Sequence, residues 1–235
     1  MKSRRTIWLV LAALLALTIA PVRATDTHDY ASGEYAIIRD GLAPDKRKSL
    51  AAHGDGEGGS ENFHVWLMAE PTHRRIAALD DIGDSNNLDT GPDAYHARWS
   101  DDSHHVAVAF RSGRHEVQLN LYRVTSGSAH LIAGPSLFRK VTSREVGADD
   151  DMRQSVSGIE WHGPRRFVLR ERHLFLTSDP GFARRLGAYG RVTDKADDGR
   201  LFVEFSAEAD CLLMPGNRYR VVDLRVSKPG DGGSW

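Results

Sequence analysis

The sequence predicts an all-β fold made of repeated four-stranded antiparallel meanders. Two observations carry this. Apolar residues recur mostly at period two, in short runs bounded by Gly, Asp, Asn, Ser and Pro. A strand, tight-turn, strand pattern then repeats along the chain. Long segments with a 3.6-residue period are scarce. One cysteine, Cys211, excludes an intrachain disulfide and a cysteine-rich zinc site. With 31 Lys+Arg against 32 Asp+Glu, no basic excess exists to drive nucleic-acid binding.

The first 24 residues read as an address. Lys2, Arg4 and Arg5 form a positive start, and Ile7 to Ala20 carries no charge. Pro21 follows, and Val22-Arg23-Ala24 offers small residues at the −3 and −1 positions, so a secretory signal peptide cut after Ala24 is expected. Those fourteen uncharged residues would span about 21 Å as a helix, short of the roughly 30 Å hydrocarbon core, so they are not read as an anchor. Ser3-Arg4-Arg5-Thr6-Ile7-Trp8 resembles the twin-arginine export motif, although the n-region is very short, and general secretion is the other route. The expected location is the periplasm or the exterior. Removal of residues 1–24 leaves an acidic mature chain without a membrane span, long enough to bury a core without disulfides.

The rest is expected to be one β-repeat domain, 25–235, with units at about 34–93, 94–155 and 156–228. Phe63–Met68 reads as a strand, and Asn62 to Ile76 reads as a hairpin across Glu70-Pro71-Thr72. Val106-Ala107-Val108-Ala109-Phe110 is an apolar strand, and Val117, Leu119 and Leu121 alternate with Gln118, Asn120 and Tyr122. A hairpin should run from Gln118 to Ile132 across Thr125-Ser126-Gly127. Ser136 to Glu145, preceded by Pro135, is the one helix expected, with Gly147 as its stop. Phe167–Leu169, Leu201–Phe205 and Tyr219–Val226 complete the strands.

Three segments share one shape: Gly41 to Ala51, Ala97 to Val108 and Ile159 to Leu169. Trp99-Ser100-Asp101-Asp102-Ser103-His104-His105-Val106-Ala107 resembles the W-S-P-D-G/S-x-x-I/V-A signature of WD40-like repeats of the TolB type. Pro44-Asp45-Lys46 and Leu121-Tyr122-Arg123-Val124 fit the same repeat, and the likeness covers about residues 37–133. It implies blade-like sheets. Asp101 replaces the usual Pro, and Gly163-Pro164 replaces the Pro-Asp pair. Leu42, Trp99 and Trp161 recur at roughly 60-residue intervals, wider than the about 40–45 residues of a regular blade. Three such units fall short of the about four blades a closed ring needs, so an incomplete or irregular β-propeller-like arrangement is expected.

Trp66, Trp99 and Trp161 are expected as aromatic anchors between strands. Asp81, Asp84, Asn86 and Asp89 lie in an oxygen-rich stretch that a Ca²⁺ ion could use, although its spacing is not that of an EF-hand and a polar turn accounts for it. His96, His104, His105 and His115 cluster without metal-ligand spacing. Ser100, Asp102 and His105 have the residue types of a nucleophilic triad but no G-x-S-x-G elbow. Cys211 reads as a buried thiol. No metal or cofactor is implied. The leading expectation is a non-enzymatic module that binds an envelope protein or component. The alternatives are a hydrolase or lactonase-like enzyme with a pocket at His96, Asp102 and His105, or a Ca²⁺-stabilised structural component.

Overall fold

Period-two alternation sets the architecture. The computed structural model describes residues 25–83, 87–146 and 150–227. The predicted export segment, 1–24, lies outside them, as do Asp84 and Asn86.

Strands β1 (Ala36–Leu42), β2 (Lys48–Asp55), β3 (Glu61–Ala69) and β4 (Arg74–Gly83) form one antiparallel meander. Strands β5 (His96–Trp99), β6 (His105–Gly113), β7 (Glu116–Val124) and β8 (Ala129–Leu131) form a second. The third group holds β9 (Met152–Trp161), β10 (Arg166–Thr177), β11 (Gly190–Lys195), β12 (Leu201–Met214) and β13 (Arg218–Val226). In it β9, β10 and β12 are antiparallel neighbours, while β11 and β13 both pair with β12. Two short parallel joints link the groups, Arg39 with His96 and Glu116–Val117 with Ser155–Val156. The result is one thirteen-stranded mixed sheet. No backbone ladder closes it among the described residues. The three groups meet edge to edge, so the expected four-stranded meanders are present twice, and the third gains an extra strand.

The expected hairpins form where local turn chemistry places them. All three copies of the shared segment are hairpins, β1–β2, β5–β6 and β9–β10. So are β3–β4 and β7–β8. Helix α1 (Leu137–Thr142) is shorter than expected. Ser136 caps it by accepting the Arg139 N–H at 3.1 Å, and Ser143 ends it in a left-handed conformation at φ 61°. The stop therefore comes before Gly147, which lies outside the described residues. A second helix, α2 (Phe182–Arg185), precedes β11.

Two cores lie on opposite faces of β6. Val106, Val108 and Phe110 join Leu50, Phe63, Val65, Leu67, Tyr95 and Tyr122 in the first. Ala107 joins Phe138, Phe167, Phe175, Phe205 and Cys211 in the second. Burial on both faces explains why Val106–Phe110 is an unbroken apolar run. Phe63, Tyr95 and Phe110 form an aromatic row with centroids 5.4 and 5.8 Å apart. Each large side chain so buried contributes about 1.5–3 kcal/mol. The meander β1–β4 curls over the first core until β4 meets β7. There Asn120 Nδ2 donates to the Asp81 carbonyl at 3.0 Å, and the Tyr122 hydroxyl donates to that of Asp80 at 2.5 Å.

Candidate functional site

The three shared hairpins have matching turns. Ala43 N–H donates to Lys48 O, Ser100 N–H to His105 O and His162 N–H to Arg166 O, each at 2.9 Å. Inside the first two turns, Lys46 N–H returns to Ala43 O and Ser103 N–H to Ser100 O, also at 2.9 Å. Lys46 and Ser103 both take positive φ, 56° and 59°, as tight turns of this kind require. The third turn is one residue shorter and uses Gly163 at φ 102°.

The tips stand side by side. The Asp45 N–H donates to Ser103 Oγ at 3.0 Å, tying the first tip to the second. Trp99 Nε1 donates to Gly41 O at 3.1 Å, and Trp161 Nε1 to Arg98 O at 2.9 Å. A Cβ at Gly41 would lie 2.6 Å from Leu50 O, so only glycine fits beneath the Trp99 contact. The His105 ring lies 6.0 Å from Trp161. The resulting rim exposes Asp45, Lys46 and Arg47, then Asp101, Asp102 and His104, then His162, Arg165 and Arg166. The first tip carries both signs of charge, the second is acidic and the third is basic.

The middle tip holds two of the predicted catalytic residues. Ser100 Oγ donates to Asp102 Oδ1 at 2.6 Å and accepts the His105 N–H at 3.0 Å. Asp102 Oδ1 also accepts the His104 N–H at 3.1 Å. Burial pushes the Asp102 carboxyl up, but the Ser100 and His104 bonds outweigh it and hold it below the usual aspartate range. His105 Nδ1 is buried without a hydrogen-bond partner, 4.0 Å from Asp102. Burial pushes that imidazole below its ordinary value, against the pull of Asp102. These bonds close a turn rather than aim a nucleophile at a base. His96, the third of the set, lies at the far end of β5, opposite Ala109, where Nε2 sits 2.7 Å from Asp40 Oδ2. Four strand residues, roughly 13 Å, separate it from the tip. Burial lowers its titration as well.

The oxygen-rich stretch is divided. Asp89 is buried, and its carboxylate takes the Arg111 Nε and Nη2 donors and the Asp26 N–H, each at 2.6 Å. Asp81 Oδ2 receives Gln118 Nε2 at 3.2 Å. No group of three or more His, Cys, Asp or Glu that could hold a metal occurs among the described residues. Thr25, Asp26, Asp89, Ala94 and Arg111 line an open cavity of about 340 Å³.

Of the expected anchors, Trp99 packs against the first core and Trp161 against the second. Trp66 belongs to neither; the Arg75 guanidinium lies 4.5 Å from its ring centre. Cys211 is buried, and burial, with Asp210 and Glu171 nearby, pushes its thiol up to about 12.

One polar network was missed in the sequence. Ser155 and His173 face each other across β9 and β10, with Nδ1 3.0 Å from Oγ. His173 Nε2 lies 3.6 Å from Glu171 Oε2, which accepts the Phe138 N–H at 3.0 Å. All three residues are about 6% exposed, and the His173 ring packs with Phe138, Phe175 and Phe205. The order Ser, His, Glu is that of a hydrolytic relay. At this burial, however, the hydroxyl is not presented to a solute, and the network instead fixes α1 on the sheet. The period-two pattern held its signal: Phe167, Leu169, Glu171, His173 and Phe175 share one face, so two polar residues occupy core positions.

No protein-family model, curated protein or solved structure matches the chain. Among the described residues no helix is long and apolar enough to cross a membrane.

Proposed function

We propose that the chain is an exported β-repeat protein that binds another protein or an envelope component through the rim of its three aligned hairpin tips. The observation that supports this most is the coupling of the tips by Asp45–Ser103, Trp99–Gly41 and Trp161–Arg98. Loops held in register by a scaffold present a fixed pattern of charges, which is what recognition requires. The likeness of Trp99–Ala107 to WD40-like repeats agrees with this reading, since blade-like folds place recognition on their loops. The charged start and apolar run of residues 1–24 supply the route out of the cytoplasm, with the mature chain beginning at Thr25.

The test is site-specific photo-crosslinking in the envelope. A photoreactive residue replaces Lys46, Asp101 or Arg165 on the rim, and Asp197 or Asp198 in the β11–β12 turn as control. Discrete adducts at the rim positions and none at the control are expected. Equal labelling at both overturns the reading.

A further inference from the structure

The outward face of the third group ends at the rim in a row of cations. On β10, Arg166, Val168, Arg170 and Arg172 alternate with Phe167, Leu169 and Glu171, so they stand on the face away from the second core. Arg166 lies opposite Leu212, Leu212 opposite Arg220, and Met214 opposite Arg218, so these five residues share that face. Arg165 stands beside them at the third tip. All four arginines are exposed, and Leu212 and Met214 between them are half-buried. Among the described residues none of the four makes an ion pair. Their only side-chain hydrogen bond runs from Arg165 Nη2 to Leu213 O, at 3.1 Å.

The acids of this face lie one row further in, where Glu160, Val168, Asp210 and Asp223 are opposite one another across four strands. They turn away from the rim arginines. Glu160 pairs with Arg170 at 3.0 Å and His162 at 3.4 Å, and Asp210 and Asp223 pair with Arg225 at 2.8 and 3.4 Å. Glu208 joins Arg170 and Arg225 at 2.6 and 2.8 Å. Ion pairs deeper in the sheet thus hold the acids, and the rim row keeps its charge. Like charges gathered without counter-ions repel one another, and an anionic partner relieves that repulsion.

We propose that this row docks a short acidic segment of the partner protein, laid along the rim with its carboxylates on Arg166, Arg218 and Arg220. This rests on the protein-binding reading above and supplies the chemistry of the partner. Arg166 and Arg220 are two strand spacings apart, about 9.6 Å, and Arg218 and Arg220 are two residues apart on one strand, about 6.7 Å. An extended segment advances about 3.3 Å per residue, so carboxylates two and three residues apart match both spacings. A guanidinium takes a carboxylate through two parallel bonds. Leu212 and Met214 supply an apolar floor for the side chains between. The acidic row sets the width of the site. A membrane surface or a nucleic acid broad enough to cover this face would press its own anions on Glu160, Asp210 and Asp223, whereas a strip one row wide does not.

Anisotropy of a fluorescein-labelled peptide, Gly-Glu-Ser-Glu-Ser-Ser-Glu-Gly, titrated with the mature chain at low ionic strength tests the site. Saturable binding is expected, and the same peptide with Gln for Glu should not bind. Arg166→Gln/Arg218→Gln/Arg220→Gln should weaken binding at least about tenfold. Arg74→Gln/Arg114→Gln/Arg184→Gln removes as much charge from exposed positions elsewhere and should weaken it less than about twofold. Both variants should keep the parent's melting temperature, and Arg220→Gln alone, the milder change, should weaken binding about two- to threefold. No binding by the parent, or equal weakening by the two triple variants, overturns the proposal. Phosphatidylglycerol vesicles are the competing probe. Cosedimentation that the first triple variant loses, with the peptide unbound, assigns the row to a membrane and overturns the peptide. The rim reading fails separately, through absent crosslinks at Lys46 and Asp101, neither of which belongs to this row.

Discussion

The Trp161 indole N–H donates to the main-chain carbonyl of Arg98, the residue that precedes Trp99. Trp99 in turn donates to Gly41, the residue that precedes Leu42 at the matching place in the first hairpin. Each hairpin thus reaches back to the same backbone position in the one before it. The repeat is a physical relation between neighbours, and the two contacts hold the hairpin tips in line.

Trp99→Ala should therefore cost about 3 kcal/mol, the low end for a large aromatic, because the side chain is only partly buried. Trp99→Phe keeps a six-membered aromatic ring but loses the pyrrole ring with its donor, so it should cost less, about 1–2 kcal/mol. His104→Ala, on an exposed position of the same turn, should cost no more than about 0.5 kcal/mol. Urea denaturation of the three variants checks the order. A nearly neutral Trp99→Ala would show that the tips are aligned by something else.

Glu171 is a buried acid that accepts the Phe138 N–H of α1, and its carboxylate lies 3.6 Å from His173 Nε2, which has no hydrogen-bond partner. Glu171→Ala strands the Phe138 N–H and opens a cavity beside His173, and should cost about 3 kcal/mol. Replacing the pair together, Glu171→Leu with His173→Phe, removes the polar demand and should recover most of that loss. A double variant no more stable than the single would show that the packing around α1, not the network, carries the effect.

These two cases show what the sequence could and could not convey. Turn chemistry is local, so Ser100, Asp102 and Gly163 announced their hairpins, and Ser136 announced the start of α1. The parallel joints Arg39–His96 and Glu116–Ser155 unite residues about 40–60 positions apart, and nothing local encodes such pairings. His96 and His105 looked like a cluster because they are near in sequence, but an antiparallel hairpin sends them to opposite ends. Glu171 and His173 looked ordinary because they are charged or polar residues in a strand. Only the face shared with Phe167, Leu169 and Phe175 marks them as buried.

Stability should fall as the pH drops below about 6.5. Burial holds the His96 and His105 rings below the ordinary histidine value. The unfolded chain then binds protons that the folded chain refuses, so their contribution is intact above about pH 6.5 and is lost as the pH falls toward the folded values. Asp102 acts in the same direction but lower, below roughly pH 4, because its carboxyl also sits under its ordinary range. Unfolding free energy measured at roughly pH 7.5 and roughly pH 5.5 should differ less in His96→Gln/His105→Gln than in the parent. An equal drop in both would assign the effect to other groups.

Metal removal should leave the fold intact. Asp89, which is buried, has both oxygens committed to Arg111 and one also to the Asp26 N–H. A chelator should therefore lower the melting midpoint by less than about 2 °C, far from the loss seen where metal binding supplies folding energy. A larger fall would return Asp81, Asp84, Asn86 and Asp89 to the role of Ca²⁺ ligands.

The Asp89–Arg111 pair also anchors the start of the described chain. Asp26 binds Asp89 through its N–H, and its carbonyl accepts the N–H groups of Thr90 and Gly91 at 2.8 and 3.0 Å. The Asp26 carboxyl also lies over Gly91, 2.7 Å from where a Cβ would sit. Tyr30 donates to Thr90 O at 2.5 Å, and Asp29 accepts the Gly58 N–H at 2.6 Å. Residues 25–30 are thus laid along the 56–59 and 89–91 segments by one bond to the buried Asp89 carboxylate and by others to the backbone of Thr90, Gly91 and Gly58. Arg111→Met keeps the stem and deletes the charge, leaving Asp89 3% exposed without that cation. The cost should be about 3 kcal/mol, and the 25–30 segment should become the first site of limited proteolysis. Asp89→Asn keeps an acceptor for the Asp26 N–H while losing the ion pair, and should cost less and leave the segment protected. Cleavage elsewhere first, or equal loss in both variants, would show that the segment is held by its aromatic contacts rather than by Asp89.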